Sequence, residues 1–277
     1  MERAKTGLAR REFLTDSAVA VGAVLLCSCS PPSSRRSESG GEAEDDYYTS
    51  RKTALLEGFD ELRAHTREVL TASHGEDFSA AIDADARQEF ESLIPEIPYI
   101  GGDDNDLTDE LSQATMALAL YRAMKRRGIA VEESGEVLIR TVEAMVASYP
   151  KPLARAIGFY GMSGFGQRRT RRAALESQER VYPADWVFSF VEGDGDEFDW
   201  GIDYTECGID KFFRAQGAEE LAPYMCLVDY PMSEAFDTGL IRNTTIAGGA
   251  ERCDFRFKRG REISPDWRPE TGAEETG

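Results

Sequence analysis

Histidine is scarce in this chain, with only His65 and His74 among 277 residues. A Ser-His-Asp or Cys-His pair, or a multi-histidine zinc site, drawn from the chain beyond residue 74 is thereby excluded. Lysine is scarce too: Lys5, Lys52, Lys125, Lys151, Lys211 and Lys258 are all there is, so arginine carries nearly all the positive charge. Acidic residues outnumber basic ones by 51 to 32, a formal charge of -19. That charge repels phosphate backbones and excludes nucleic acid as an expected partner, and it disfavours anionic lipid surfaces. Two readings of the imbalance stay open, adaptation to high salt or an arginine-favouring genome with ordinary acidity. There is no P-loop, no dinucleotide fingerprint and no internal repeat. The glycine-rich "GFYGMSGFG" (158–166) lacks the strand-turn-helix context that phosphate binding requires.

Long apolar runs are also missing. Ser17–Leu26 is the apolar centre of the amino terminus, and it is too short for a helix to cross a hydrocarbon layer of about 30 Å, which takes roughly 20 residues. With basic residues before it and small residues after it, the segment reads as a secretory signal. "ARREFLT" places Arg10 and Arg11 as in a twin-arginine export motif, apart from Ala9. "LCSC" resembles a lipoprotein processing box with Cys29 as the lipidated residue; Cys27 fits worse, because bulky Leu26 would occupy its cleavage position. Several acyl chains at about 0.8 kcal/mol per buried methylene would hold the protein stably at the outer face of the membrane. The expected layout is a signal peptide over 1–29, a flexible Pro-, Ser-, Gly- and charge-rich tether over 30–50, one domain over 51–260 and a polar tail over 261–277.

A hydrophobic content of 41% with 10% aromatics suffices for a buried core. Leu55, Leu56, Phe59, Leu62, Val69 and Leu70 recur at helical spacing. After the Pro- and Gly-punctuated "IPEIPYIGGDDND", Thr108 is the expected N-cap of a buried helix that Gly128 stops, and Glu133–Ser148 predicts another. Beyond Arg155 the character changes. "WVFSFVEG" and "FDWGIDYTE" read as strands of one hairpin, Ile209–Gln216 and Glu219–Phe236 as helices, and "GLIRNTTIAGG" with "ERCDFRFKRG" as a second hairpin. The fold class is therefore α+β: N-terminal helices followed by an antiparallel sheet of two β-hairpins packed with helices. Asn243 matches a glycosylation acceptor but falls inside an expected strand.

"PYIGGDDNDLTDELSQATMALALYRAMKRRG", "CGIDKFFRAQGAEELAPYMCLVDYPMSEAF" and "LIRNTTIAGGAERCDFRF" resemble successive blocks of the L-2-amino-thiazoline-4-carboxylic acid hydrolase family, across residues 98–257. The resemblance implies hydrolytic opening of a cyclic isothiourea, by C–S or C–N cleavage, to a carbamoyl-cysteine. A fainter similarity to vinyl-reductase-type small-molecule-binding domains supports an alternative, a lipid-anchored module that binds a small molecule or a metal without turnover.

Cys207, Cys226 and Cys253 each sit in a family block with an acid nearby, Glu206, Asp229 and Asp254 respectively. Three cannot all pair within one chain. A cysteine nucleophile with a carboxylic acid as proton donor suits the chemistry; so does a zinc ion held by the three thiolates, with attacking water in its open position. Burial as small hydrophobes is the structural alternative for each. The catalytic candidates are thus Cys207, Cys226, Asp229, Cys253 and Asp254. Arg242, whose fork could grip a substrate carboxylate, joins Thr245, Gly248, Gly249 and Asn105 as the substrate-binding candidates.

Overall fold

A computed structural model describes residues 46–264. The signal, Cys29 and nearly all of the tether and tail lie outside the described residues. The tether as expected runs too far, because Tyr47–Ser50 form a one-turn helix, α1, whose Tyr48 ring is buried. Among the described residues no helix is long and apolar enough to cross a membrane.

Helices α2 (Lys52–His74) and α3 (Glu76–Leu93) lie side by side. The apolar spacing of α3 puts Ile82, Ala86, Phe90 and Leu93 on one buried stripe, and Phe90 meets Phe59 of α2 at 4.5 Å between ring centroids. Helix α4 (Thr108–Arg126) occupies the middle of the core, with residues 114–121 all buried. Its end is a Schellman turn. Gly128 takes a left-handed φ of 87°, its N–H donates to the Lys125 carbonyl, and buried Ile129 donates to that of Met124. The expected N-cap shifts: Thr108 is already helical and its hydroxyl donates to the Gly102 carbonyl, while Asn105 turns the chain by accepting from Leu107 N–H. Helix α5 (Val131–Ala147) follows as expected.

Helical structure then persists further than the sequence suggested, as α6 (Lys151–Gly161) and α7 (Gly164–Ser177). The "GFYGMSGFG" glycines belong to their junction, where Ser163 caps α7 by accepting from Gly166 N–H. Strands β1 (Val187–Glu192) and β2 (Trp200–Glu206) form the first hairpin. Helix α8 (Gly208–Ala215) comes next. The single helix expected to Phe236 is instead a 3-10 turn, α9 (Ala222–Leu227) and α10 (Asp229–Phe236). Pro223 and Pro231 each lack an N–H, and the break at Val228 makes Asp229 the first residue of α10.

The second hairpin pairs β3 (Leu240–Ile241) with β4 (Cys253–Phe257), giving an antiparallel sheet in the order β1-β2-β4-β3. β3 is shorter than expected, so Arg242 and Asn243 lie beyond it; Asn243 is in an exposed loop rather than a strand. The register sets Tyr204 opposite Cys253, Ile202 opposite Phe255 and Trp200 opposite Phe257. These six residues share one face of the sheet, which packs on the helices.

Candidate functional site

Between that sheet face and helices α4, α9 and α10 lies a cavity of about 630 Å³. It lies within the size range of small-molecule sites. Cys207, Cys226, Asp229, Arg242 and Cys253 all line it, as does Asn105. Thr245, Gly248, Gly249 and Asp254 do not. Asp254 organises the β3–β4 loop, accepting from the backbone N–H groups of Asn243 (2.9 Å) and Thr244 (2.6 Å) and from the Asn243 amide (3.1 Å). Partial burial opposes its charge, but those donors outweigh it and hold its carboxyl below the ordinary range. Thr245 accepts from Gly248 N–H, and Gly249 supplies the left-handed φ of the same turn. Asn105 ties loops together, donating to the Ile100 carbonyl and to Asp185.

Arg242 does not present a free fork. Its side chain is 2% exposed, its Nη1 donates to Asp229 Oδ2 at 2.6 Å, and its Nη2 donates to the Cys226 carbonyl. The guanidinium is sandwiched over the rings of Phe255 (4.8 Å) and Tyr230 (5.1 Å). Asp229, by contrast, keeps 36% of its side-chain surface open, and that surface faces the cavity. Burial raises its carboxyl, and the contact with Arg242 opposes that rise.

The acid that the sequence reading did not single out is Glu110, in the first turn of α4. Its Oε1 is buried with no hydrogen-bond partner, and it lines the cavity. Burial, together with the negative charges of Asp229 and Asp109, pushes its carboxyl up to about 8. A sequence signal did exist. Glu110 precedes Ala114, Ala117 and Tyr121 by four, seven and eleven residues, so it continues a buried stripe of the helix. Tyr204, read only as a strand residue, places its hydroxyl in the same space; burial, then Asp229 and Glu110, keep it protonated.

The thiols are in an unfavourable setting for thiolate chemistry. Burial pushes Cys207 up to about 11, although the N–H groups of Asp210 and Ile209 at the start of α8 pull the other way. Cys226 is raised by burial despite Arg242, and Cys253 is raised by burial while accepting from Ile246 N–H at 3.1 Å. No two are disulfide-bonded. Among the described residues no group of three or more His, Cys, Asp or Glu side chains is arranged to hold a metal ion, so the three-thiolate zinc arrangement is not formed there.

The arrangement can therefore do proton chemistry through carboxyls. One, Asp229, is held by an arginine, and the other, Glu110, keeps its proton near neutrality because burial, and then the negative charge of Asp229, disfavours its ionisation. Neither a curated protein nor a solved structure is significantly similar to the chain. A family model does match, over residues 108–257, a stretch that begins at α4, ends with β4 and includes Glu110, Asp229, Arg242 and all three cavity cysteines. With more than half of its length matched, the chain belongs to the L-2-amino-thiazoline-4-carboxylic acid hydrolase family.

Proposed function

We propose that this protein hydrolyses a small cyclic isothiourea or related amidine with Glu110 as general acid and Asp229 as general base. The observation that supports this most directly is the buried Oε1 of Glu110, which has no hydrogen-bond partner and feels the negative charge of Asp229, itself paired with Arg242. In this reading Glu110 gives its proton to the ring nitrogen, which makes the amidine carbon electrophilic. Asp229, oriented by Arg242, takes a proton from water as the water oxygen bonds to that carbon. When the tetrahedral adduct collapses, its hydroxyl proton returns to Glu110, and Asp229 passes the water proton to the departing nitrogen or sulfur. One C–N or C–S bond breaks, a carbamoyl product forms, and both carboxyls regain their starting state.

The cysteines then serve as wall, since burial keeps each thiol protonated. Turnover of 2-amino-thiazoline-4-carboxylate is the first assay. Glu110→Gln and Asp229→Asn should each lower kcat by about 10²- to 10⁴-fold, and Cys→Ser at 207, 226 or 253 should leave it within a few-fold. Loss of turnover from a single Cys→Ser variant that still folds would instead favour a cysteine nucleophile. The amino-terminal reading adds a location, a lipid on Cys29 that would hold the enzyme outside the cytoplasm.

A further inference from the structure

The run "RRTRR" (168–172) in α7 concentrates arginine, and helical spacing sorts its members. Arg169 and Arg172, three residues apart, line the cavity together with Ala173 and Glu176, whereas Arg168 and Arg171 do not. Arg169 is held by Asp106, another lining residue: its Nε donates to Oδ2 at 2.7 Å and its Nη2 donates to Oδ1. That side-on pairing leaves the Nη1 edge of the fork outside the pair. Arg172 is held more loosely, its Nε 3.4 Å from Glu176, with the two side chains 66% and 65% exposed. Exposed pairs of that kind contribute little, so Arg172 is available to a ligand.

Positive charge is therefore incompletely answered at this end of the cavity. Burial, and then the neighbouring charge of Arg172, hold the Arg169 guanidinium below its ordinary value. An anion set against both arginines would offset their mutual repulsion. The start of α4 joins this end to the reacting carboxyls, because Asp106 lies four residues before Glu110, and Glu110 feels the charge of Asp229. Arg242, the arginine beside Asp229, is closed by that carboxylate and by the Cys226 carbonyl.

We infer that Arg169, assisted by Arg172, holds the carboxylate of the substrate through its open edge and so turns the amidine of the same molecule toward Glu110 and Asp229. This rests on the hydrolase reading of the same site and adds its specificity-determining residue. The carboxylate gives affinity and orientation and takes no part in bond breaking. Loss of the arginine should therefore appear mainly in KM.

The test compares 2-amino-thiazoline-4-carboxylate with carboxylate-free 2-amino-2-thiazoline. Turnover is measured in the unaltered protein, and binding by titration calorimetry in the slow Glu110→Gln background. The 4-carboxylate should bind at least tenfold tighter than the carboxylate-free compound. Arg169→Gln should remove that difference, raising KM for the 4-carboxylate at least tenfold with kcat changed no more than a few-fold, and should leave binding of the carboxylate-free compound unchanged. Because Arg169→Gln strips Asp106 of its partner, the double variant Asp106→Asn/Arg169→Gln, which removes both charges, should show the same loss. Arg180→Gln, whose ion pair with Glu206 lies toward solvent, should keep the preference. Equal affinity of the parent for the two compounds, or a preference that survives both Arg169 variants, overturns the inference while any turnover leaves the hydrolase reading standing. An Arg169-dependent preference in binding without turnover of either compound supports the inference and removes the hydrolase reading instead.

Discussion

A carboxyl that holds its proton to about pH 8 in the folded protein, against an ordinary value of 4.5, makes stability depend on pH. The folded state binds this proton more tightly than the unfolded chain does. The contribution of Glu110 is therefore fully present below about pH 4.5 and is lost as pH rises through 8. Glu110→Gln should match the parent at pH 4.5 and exceed it at pH 9 by roughly 2–5 kcal/mol, measured by denaturant unfolding at both values. Parallel pH curves for the two proteins would remove the buried, protonated Glu110. At this scale the sequence was legible where a polar residue interrupts an apolar run, as Asp229 does in "YMCLVDYP". Glu110 escaped because acids in a first helical turn are ordinarily explained by the helix dipole. Arg242 was seen but misassigned. Its partner is fixed by the break at Val228, which starts α10 at Asp229 and is not local to Arg242 in sequence.

Helix α10 presents Asp229 to the cavity, and α6 is what it leans on. A Cβ added at Gly158 of α6 would fall 1.7 Å from the Phe236 carbonyl oxygen at the end of α10, so the two backbones touch only because residue 158 has no side chain. Gly158→Ala should push the helices apart at a cost of about 1–3 kcal/mol and lower turnover by displacing Asp229. Gly164→Ala, in the first turn of α7, meets only the flexible end of Arg168 at 3.5 Å and should leave melting temperature and activity nearly unchanged. Equal melting temperatures for both variants would mean that the α6–α10 contact is loose. The same glycines explain why α6 and α7 were not foreseen. Glycine-rich sequence reads as turn, and only the packing partner shows that here it serves close approach within helices. Helix α4 was legible because the apolar run Met116–Tyr121 at its centre leaves burial as its one outcome. The sheet was legible from its aromatic and β-branched strands, but β3 was overestimated: Asp254 draws Asn243 and Thr244 into a loop that alternation alone cannot foresee.

For the molecule as a whole, the amino-terminal reading predicts that Cys29→Ala moves the protein from the membrane to the soluble fraction. Unchanged membrane association on fractionation would defeat it. The remaining question at this scale is what a charge of -19 does to stability, and two effects compete. Salt weakens surface ion pairs such as Lys52–Glu91 and Arg51–Asp103, which favours unfolding. Salt also weakens the repulsion among the acids left in excess, which favours folding. Exposed pairs contribute about 0–1 kcal/mol each, and they already act over contact distances at which screening is least effective. Repulsion acts over the longer separations that salt removes. Between about 0.1 M and 1 M the Debye length falls from about 10 Å to 3 Å, so the repulsive contribution should be lost first and the melting temperature should rise across that range. Chloride and sulfate salts matched in ionic strength separate this from surface exclusion, because screening predicts the same rise in both, whereas sulfate alone strengthens apolar burial. A flat or falling melting temperature in chloride would mean that the ion pairs dominate and that the acidity is not an adaptation to salt.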